Sequence, residues 1–250
     1  MRSVSKRLVV ASLLAVWAHA ASAQTANDIV ERALTAIGGR AALAKIKSRS
    51  TTGTITLSTP AGELAGSIET LNAAPNKSRA LIKVDLSALG AGLLVLDQRF
   101  NGVAGYALDS LQGNHDVTGN QLDNMTNSSF PTPLLNYKEL GATITLGAKE
   151  KVGDRDAYVL VFEPVTGSVV RDFIDAETYM ILKTVVKVDV PQLGREVEQT
   201  VEFSDYRAVD GIKLPFRMSA TSAVQNYTVE VAKVEHNVQI DEKLFSKPPQ

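Results

Sequence analysis

Along most of the chain apolar and polar residues alternate with a period of two, which predicts strands. One early stretch follows a period of 3.6 instead. There Ile29, Val30, Ala33, Leu34 and Ile37 recur at helical spacing. Asn27 reads as the N-cap, with Asp28 and Glu31 in the first turn. Gly38-Gly39 ends or kinks this helix, and 40–46 adds further helical turns. From Ser50 onward hairpins take over. Strands are predicted over 51–58 and 63–71 around the turn Thr59-Pro60-Ala61-Gly62, then over 78–86. Strands 93–100 and 103–109 flank Asn101-Gly102, a strong hairpin signal. Further strands follow over 143–151, 157–164, 168–174, 179–190, 195–203, 212–221 and 224–236. These twelve segments read as a sheet of about eleven strands, at the spacing of an antiparallel sandwich or barrel.

One polar break interrupts them. Residues 113–136 are rich in Asn and Ser, include Pro131 and Pro133, and predict short helices near 121–126 and 133–140. Such an insertion is a lid or binding loop, or else a passive surface excursion.

The alternation also predicts faces. In 195–203, Val197, Val201 and Phe203 point one way, and Glu196, Glu198, Thr200 and Glu202 the other. In 157–164 both faces are apolar: Tyr158, Leu160 and Phe162 share one, Val159 and Val161 the other. Such a strand is covered twice or lines a cavity. A curved sheet with one helix and a loop insertion accommodates either, and the competing reading is that all this apolar surface is core.

Composition narrows the function. Residues 1–23 read as a secretory signal peptide, with a basic n-region (Arg2, Lys6, Arg7), an apolar stretch from Leu8 to Trp17, and the small-residue site Ala21-Ser22-Ala23. The apolar stretch is far shorter than the roughly 20 residues of a spanning helix. The expectation is cleavage after Ala23, a periplasmic product, one domain over 24–250 and no stable membrane insertion. The chain has no cysteine, hence no disulfide and no lipid-anchored cysteine after the cleavage site. Three basic residues leave with the leader and no acid does, so the remainder is slightly more acidic than the net −1 of the full chain. That balance, with no basic run, argues against nucleic acid.

Candidate chemistry is sparse. Only His115 and His236 remain outside the leader, and neither has carboxylate partners at metal-ligand spacing. No nucleophile elbow, zinc helix or phosphate loop occurs. Asp154, Asp156 and Asp172 are spaced like turn and strand-edge residues and read as solvated carboxylates. The expectation is no metal, no cofactor and no catalysis.

Several phrases resemble the LolA-like periplasmic lipoprotein-carrier superfamily. Pro75-Asn76-Lys77-Ser78-Arg79 is similar to its Pro-Asn strand entry, and Leu94–Tyr106 to its central hairpin. Asp205-Tyr206-Arg207-Ala208-Val209-Asp210-Gly211-Ile212, followed by Leu214-Pro215-Phe216, is common in exported relatives. The ending Ile240–Pro249 matches an Asp-x-x-x-Phe…Pro-Pro pattern. The resemblance implies a mainly β protein with short helices, an unclosed antiparallel β-barrel whose helical lid includes Phe130, Leu134 and Leu135. It further implies a soluble, monomeric, non-catalytic carrier for a lipid or lipoprotein acyl chain. The alternative is an envelope-stress sensor or interaction module with an envelope protein as partner. Cavity-lining candidates are Leu81, Leu94, Leu96, Tyr106, Leu160, Phe162, Phe173, Val186 and Phe203. There is one departure: the carriers place an arginine just before Pro-Asn, where this chain has Ala74.

Overall fold

The computed structural model describes residues 24–190 and 194–249; the expected leader, 1–23, lies outside the described residues. Helix α1 spans Ala26–Ala36 and a short α2 spans Arg40–Leu43. The N-cap of α1 is Thr25 rather than Asn27. Thr25 Oγ1 accepts from the Asp28 N–H (3.2 Å), and Asp28 Oδ2 accepts from the Thr25 N–H (2.9 Å). This reciprocal box satisfies two donors that a cap at Asn27 would leave open. Gly38, at φ 132°, ends the helix by passing close to another turn. A Cβ there would lie 2.8 Å from the Gly211 carbonyl oxygen.

Among the described residues fourteen strands follow, more than the sequence pattern predicted. The first six are β1 (Ser48–Thr59), β2 (Gly62–Ala73), β3 (Lys77–Asp85), β4 (Leu93–Phe100), β5 (Gly105–Asp109) and β6 (His115–Val117). Helix α3 (Gly119–Asn127) and a 3-10 turn (Pro133–Leu135) form the insertion. Then come β7 (Thr143–Leu146), β8 (Glu150–Val152), β9 (Arg155–Glu163), β10 (Val170–Asp175) and β11 (Ile181–Val190). The last three are β12 (Arg195–Val209), β13 (Ile212–Ser222) and β14 (Asn226–His236). The predicted strand over 143–151 is two: Gly147 to Lys149 breaks it, and both parts pair with β9. β5 starts two residues later than predicted, because Asn101 Oδ1 accepts from the N–H groups of Val103 and Ala104 and holds them in the turn. His115, expected in a loop, lies in β6.

The strands form one antiparallel sheet, in the order β6-β5-β4-β3-β2-β1-β14-β13-β12-β11-β10-β9-β7. Two meanders run outward from the β1–β14 pair, and the ends do not meet: this is the unclosed barrel. Residues directly opposite in antiparallel strands share a face. One row therefore crosses the sheet on a single side: Leu160, Asp172, Thr184, Val201, Ala220, Tyr227, Leu57 and Leu64. This inner face carries the helices. Ile29, Val30, Ala33 and Leu34 of α1 pack there with Leu160, Phe162, Ile174 and Ile212. On the outer face Val159, Phe173, Leu182 and Val185 form a separate cluster. The C-terminal 3-10 turn, Glu242–Phe245, packs against β3 and β4 with Phe245 fully buried. Beside it Asp97 is gripped by Arg79 (2.7 and 2.9 Å) and Arg99 (2.7 and 3.2 Å).

Candidate functional site

The polar insertion roofs a cavity of about 400 Å³ on the inner face, above β9, β10 and β11. Phe162, Val170, Val186 and Val188 give it an apolar floor, and Pro133 and Leu134 close it from above. Its size falls in the range of small-molecule sites.

A polar latch holds the roof down. Asn124 Oδ1 accepts from the Ser168 N–H (2.8 Å), while Asn120 and Asn124 each donate a side-chain N–H to Ser168 Oγ (3.0 and 3.1 Å). Ser168 Oγ in turn donates to the Lys187 carbonyl (2.7 Å), and Asn127 Nδ2 donates to the Thr166 carbonyl (2.7 Å). The Asn and Ser content that made this segment look like surface loop instead ties α3 to the β9–β10 connection and to β11.

Asp172 is a correction. The sequence placed it among solvated carboxylates, and the structure puts it mid-strand in β10, on the cavity floor. Its Oδ1 accepts from Thr184 Oγ1 (2.6 Å). Burial pushes its pKa up to about 6, with the Thr184 hydroxyl pulling the other way. The signal was in the sequence: Val170, Asp172 and Ile174 share a face, so one carboxylate sits in an apolar row. Asp154 is in a turn and Asp156 pairs with Lys151 (2.9 Å), both at the surface.

The nine predicted lining residues divide by face. Leu160, Phe162, Val186 and Phe203 lie on the inner face, as do Leu94 and Leu96, which pair with Val84 and Ile82. Of these, Phe162 and Val186 line the roofed cavity. Leu94 instead packs with Ile55, Leu57, Val84 and Val229 at the other half of the barrel. Leu81, Tyr106 and Phe173 point outward, so they are not cavity residues. Leu81 pairs with Asp97, Tyr106 pairs with Arg99 beneath the Lys247 ammonium, and the ammonium of Lys183 lies 4.0 Å from the Phe173 ring centroid. Their apolar character covers the outer layer and the C-terminal segment.

Of the three predicted lid residues, Leu134 touches the cavity, and Leu135 packs on the α1 core while its carbonyl accepts from Arg40 (2.8 Å). Phe130 is buried under the guanidinium of Arg49, 5.1 Å from its ring centroid. Ala74 packs at the edge of the same core. Arg49 donates from Nε to His236 Nε2 (3.2 Å), and burial lowers its pKa to about 10. His236 Nδ1 faces Asp210 Oδ2 (3.1 Å); burial lowers the pKa of the imidazole, with Asp210 opposing. An imidazole accepting at Nε2 is neutral there and donates from Nδ1. His115 lies far along the sheet, its Nδ1 on the Gly113 carbonyl (3.0 Å). Among the described residues no three His, Asp or Glu side chains gather as a metal site.

No family model matches the chain, and no curated protein matches it in sequence. Solved structures do match. A LolA superfamily protein from Nitrosomonas europaea is 16% identical, with 90% of this chain and 99% of that chain covered and a TM-score of 0.56. A putative outer membrane lipoprotein-sorting protein domain from Vibrio parahaemolyticus is 12% identical, with 88% and 95% covered and a TM-score of 0.57. A DUF1329 family protein from Desulfovibrio piger is 13% identical, with the same coverages and TM-score. At these identities the likeness establishes the fold, which is LolA-like.

Proposed function

From a LolA-like fold with a roofed apolar cavity, we propose that this chain is an exported carrier that holds the apolar chain of a lipid or lipoprotein, without covalent chemistry. The observation that carries the reading is the cavity itself: a partly open space, largely apolar in its floor, roofed by the insertion, whose helix α3 is held by a few polar contacts. Each methylene moved from water into such a site contributes about 0.8 kcal/mol, so a long chain binds without a polar anchor. Helix α3 is the natural gate: it has no buried residue and is held by a handful of hydrogen bonds, whereas Leu134 and Phe130 anchor the rest of the insertion in the core. Among the described residues no helix is long and apolar enough to cross a membrane. Residues 1–23 are proposed to direct export and to leave a chain starting at Gln24, which the intact mass of the periplasmic protein checks.

Native mass spectrometry with solvent extraction tests the carrier reading, together with uptake of the apolar dye N-phenylnaphthylamine. The expected results are co-purified lipid, and dye fluorescence that Val186→Trp abolishes by filling the cavity. A protein that emerges empty and takes up no dye overturns the reading. Specific capture of an envelope protein by that empty protein would then favour an interaction module.

A further inference from the structure

A cavity that held a plain hydrocarbon would need no charge, yet this one has an ionisable side chain in its floor. Asp172 is the only ionisable group among the described residues that line it. Thr184 satisfies Oδ1. Oδ2 has neither a hydrogen-bond partner nor a cation among the described residues. No fully buried side-chain oxygen in the described structure lacks a partner, so Oδ2 keeps some accessible surface. Because Asp172 lines the cavity, that surface belongs to the cavity.

The neighbours leave the charge uncompensated. On the inner face Leu160 lies opposite on β9 and Thr184 opposite on β11. The roof residues at the cavity are Asn124, Asn127, Ser128, Thr132, Pro133 and Leu134, all uncharged. The nearby ionisable group is Tyr206, whose hydroxyl donates to the Ile181 carbonyl (2.7 Å). Its pKa is raised, first by burial and then by the charge of Asp172. A carboxylate only accepts hydrogen bonds, and in a low-dielectric site an unpaired one is unfavourable until a donor reaches it. A second carboxylate brought into the same space is repelled.

We infer that the cavity selects an apolar chain bearing a hydrogen-bond donor, a hydroxyl or an ammonium group, that meets Asp172 Oδ2, and that it rejects a free fatty-acid carboxylate. This rests on the carrier reading and adds the chemistry of the ligand. Asp172 and Thr184 face each other across β10 and β11, so the recognition point is rigid and lies inside the cavity. The donor therefore sits on the chain or at its end, at the depth of the floor.

Displacement of N-phenylnaphthylamine by dodecylamine, dodecanol, laurate and dodecane at pH 8 tests it, on the wild-type protein and on Asp172→Asn. Dodecylamine and dodecanol are expected to bind at least tenfold more tightly than laurate. An advantage of the amine over the alcohol assigns the gain to charge, and equality assigns it to the hydrogen bond. In Asp172→Asn the advantage of the amine over laurate shrinks about tenfold. Equal affinities for all four compounds, laurate binding tightest, dye that neither amine nor alcohol displaces, or an unchanged preference in the variant each overturn the selection. A wild-type protein that binds neither the dye nor any of the four overturns the carrier reading instead.

Discussion

Replacing Asp172 by asparagine removes one negative charge from the cavity floor and keeps the shape of the side chain. The consequence follows from the burial of that group. An aspartate that titrates at 3.8 in the unfolded chain titrates at about 6 here. Between those two values the folded protein holds a proton that the unfolded chain has lost. Stability therefore falls as pH rises through this window, by about 1.4 kcal/mol per pH unit, and levels off above the folded value. The total is roughly 3 kcal/mol. The variant lacks this slope, and every other carboxylate titrates in both proteins and cancels in the difference. Urea unfolding of the two proteins, followed from about pH 4 to about pH 8, measures it. The asparagine N–H₂ group adds a constant offset, because it too must be buried, but it adds no slope. The expected result is a variant that gains on the wild type by roughly 2.4 kcal/mol between the ends of the series, slightly less than the total because the acid end already lies within the window. A stability difference independent of pH, or one that moves the other way, refutes the argument that Asp172 is desolvated and lacks a cation. A residue that weakens the empty protein in this way fits a site whose chemistry serves a ligand.

Other consequences are as direct. Ser168→Ala removes the hydroxyl on which Asn120 and Asn124 converge, and we expect a loss of about 1–3 kcal/mol with faster hydrogen exchange confined to α3. Asp97→Ala leaves Arg79 and Arg99 facing each other with little exposure, and should destabilise by about 3–5 kcal/mol in chemical denaturation. Burial acts to raise the pKa of Asp97, but the two guanidinium groups outweigh it and hold the carboxyl below its usual value. The stability it contributes is thus present above the ordinary aspartate pKa and lost as pH falls through the lowered one, the opposite sign to Asp172. Gly38→Ala combines a positive φ with a close approach to the Gly211 carbonyl, so a fall in thermal midpoint equivalent to more than about 1 kcal/mol is expected.

Local order was legible before the structure. Helix α1 announced itself through Ile29, Val30, Ala33 and Leu34, and each of those side chains is buried. The hairpins around Thr59–Gly62 and Asn101-Gly102 form where turn chemistry placed them, shifted at Asn101 because its side chain captures two backbone N–H groups. The three-residue strand β6 was too short to carry a period. The cavity residues were legible only in part. Alternation correctly grouped Leu160 with Phe162, and it separates Leu81 from Ile82, but it does not say which of the two faces inward. Leu81, Tyr106 and Phe173 were assigned to the wrong side for that reason, and Asp172 was taken for a solvated group because its strand looked like an edge.

The amino-acid pattern thus determined most of the strands, their hairpin partners, the opening amphipathic helix and the polar insertion. Each of these depends on residues a few positions apart, where side-chain period and turn conformation act directly. The inward face, the joining of β1 to β14 and the latch over the cavity depend on contacts between distant segments, as when Ser48 donates to the Val238 carbonyl 190 positions away. A period of two makes both faces of a strand equivalent until another part of the chain covers one of them. Here α1 and the insertion cover the face that carries Asp172, and that choice turns an ordinary aspartate into the one charge among the described residues of a largely apolar cavity.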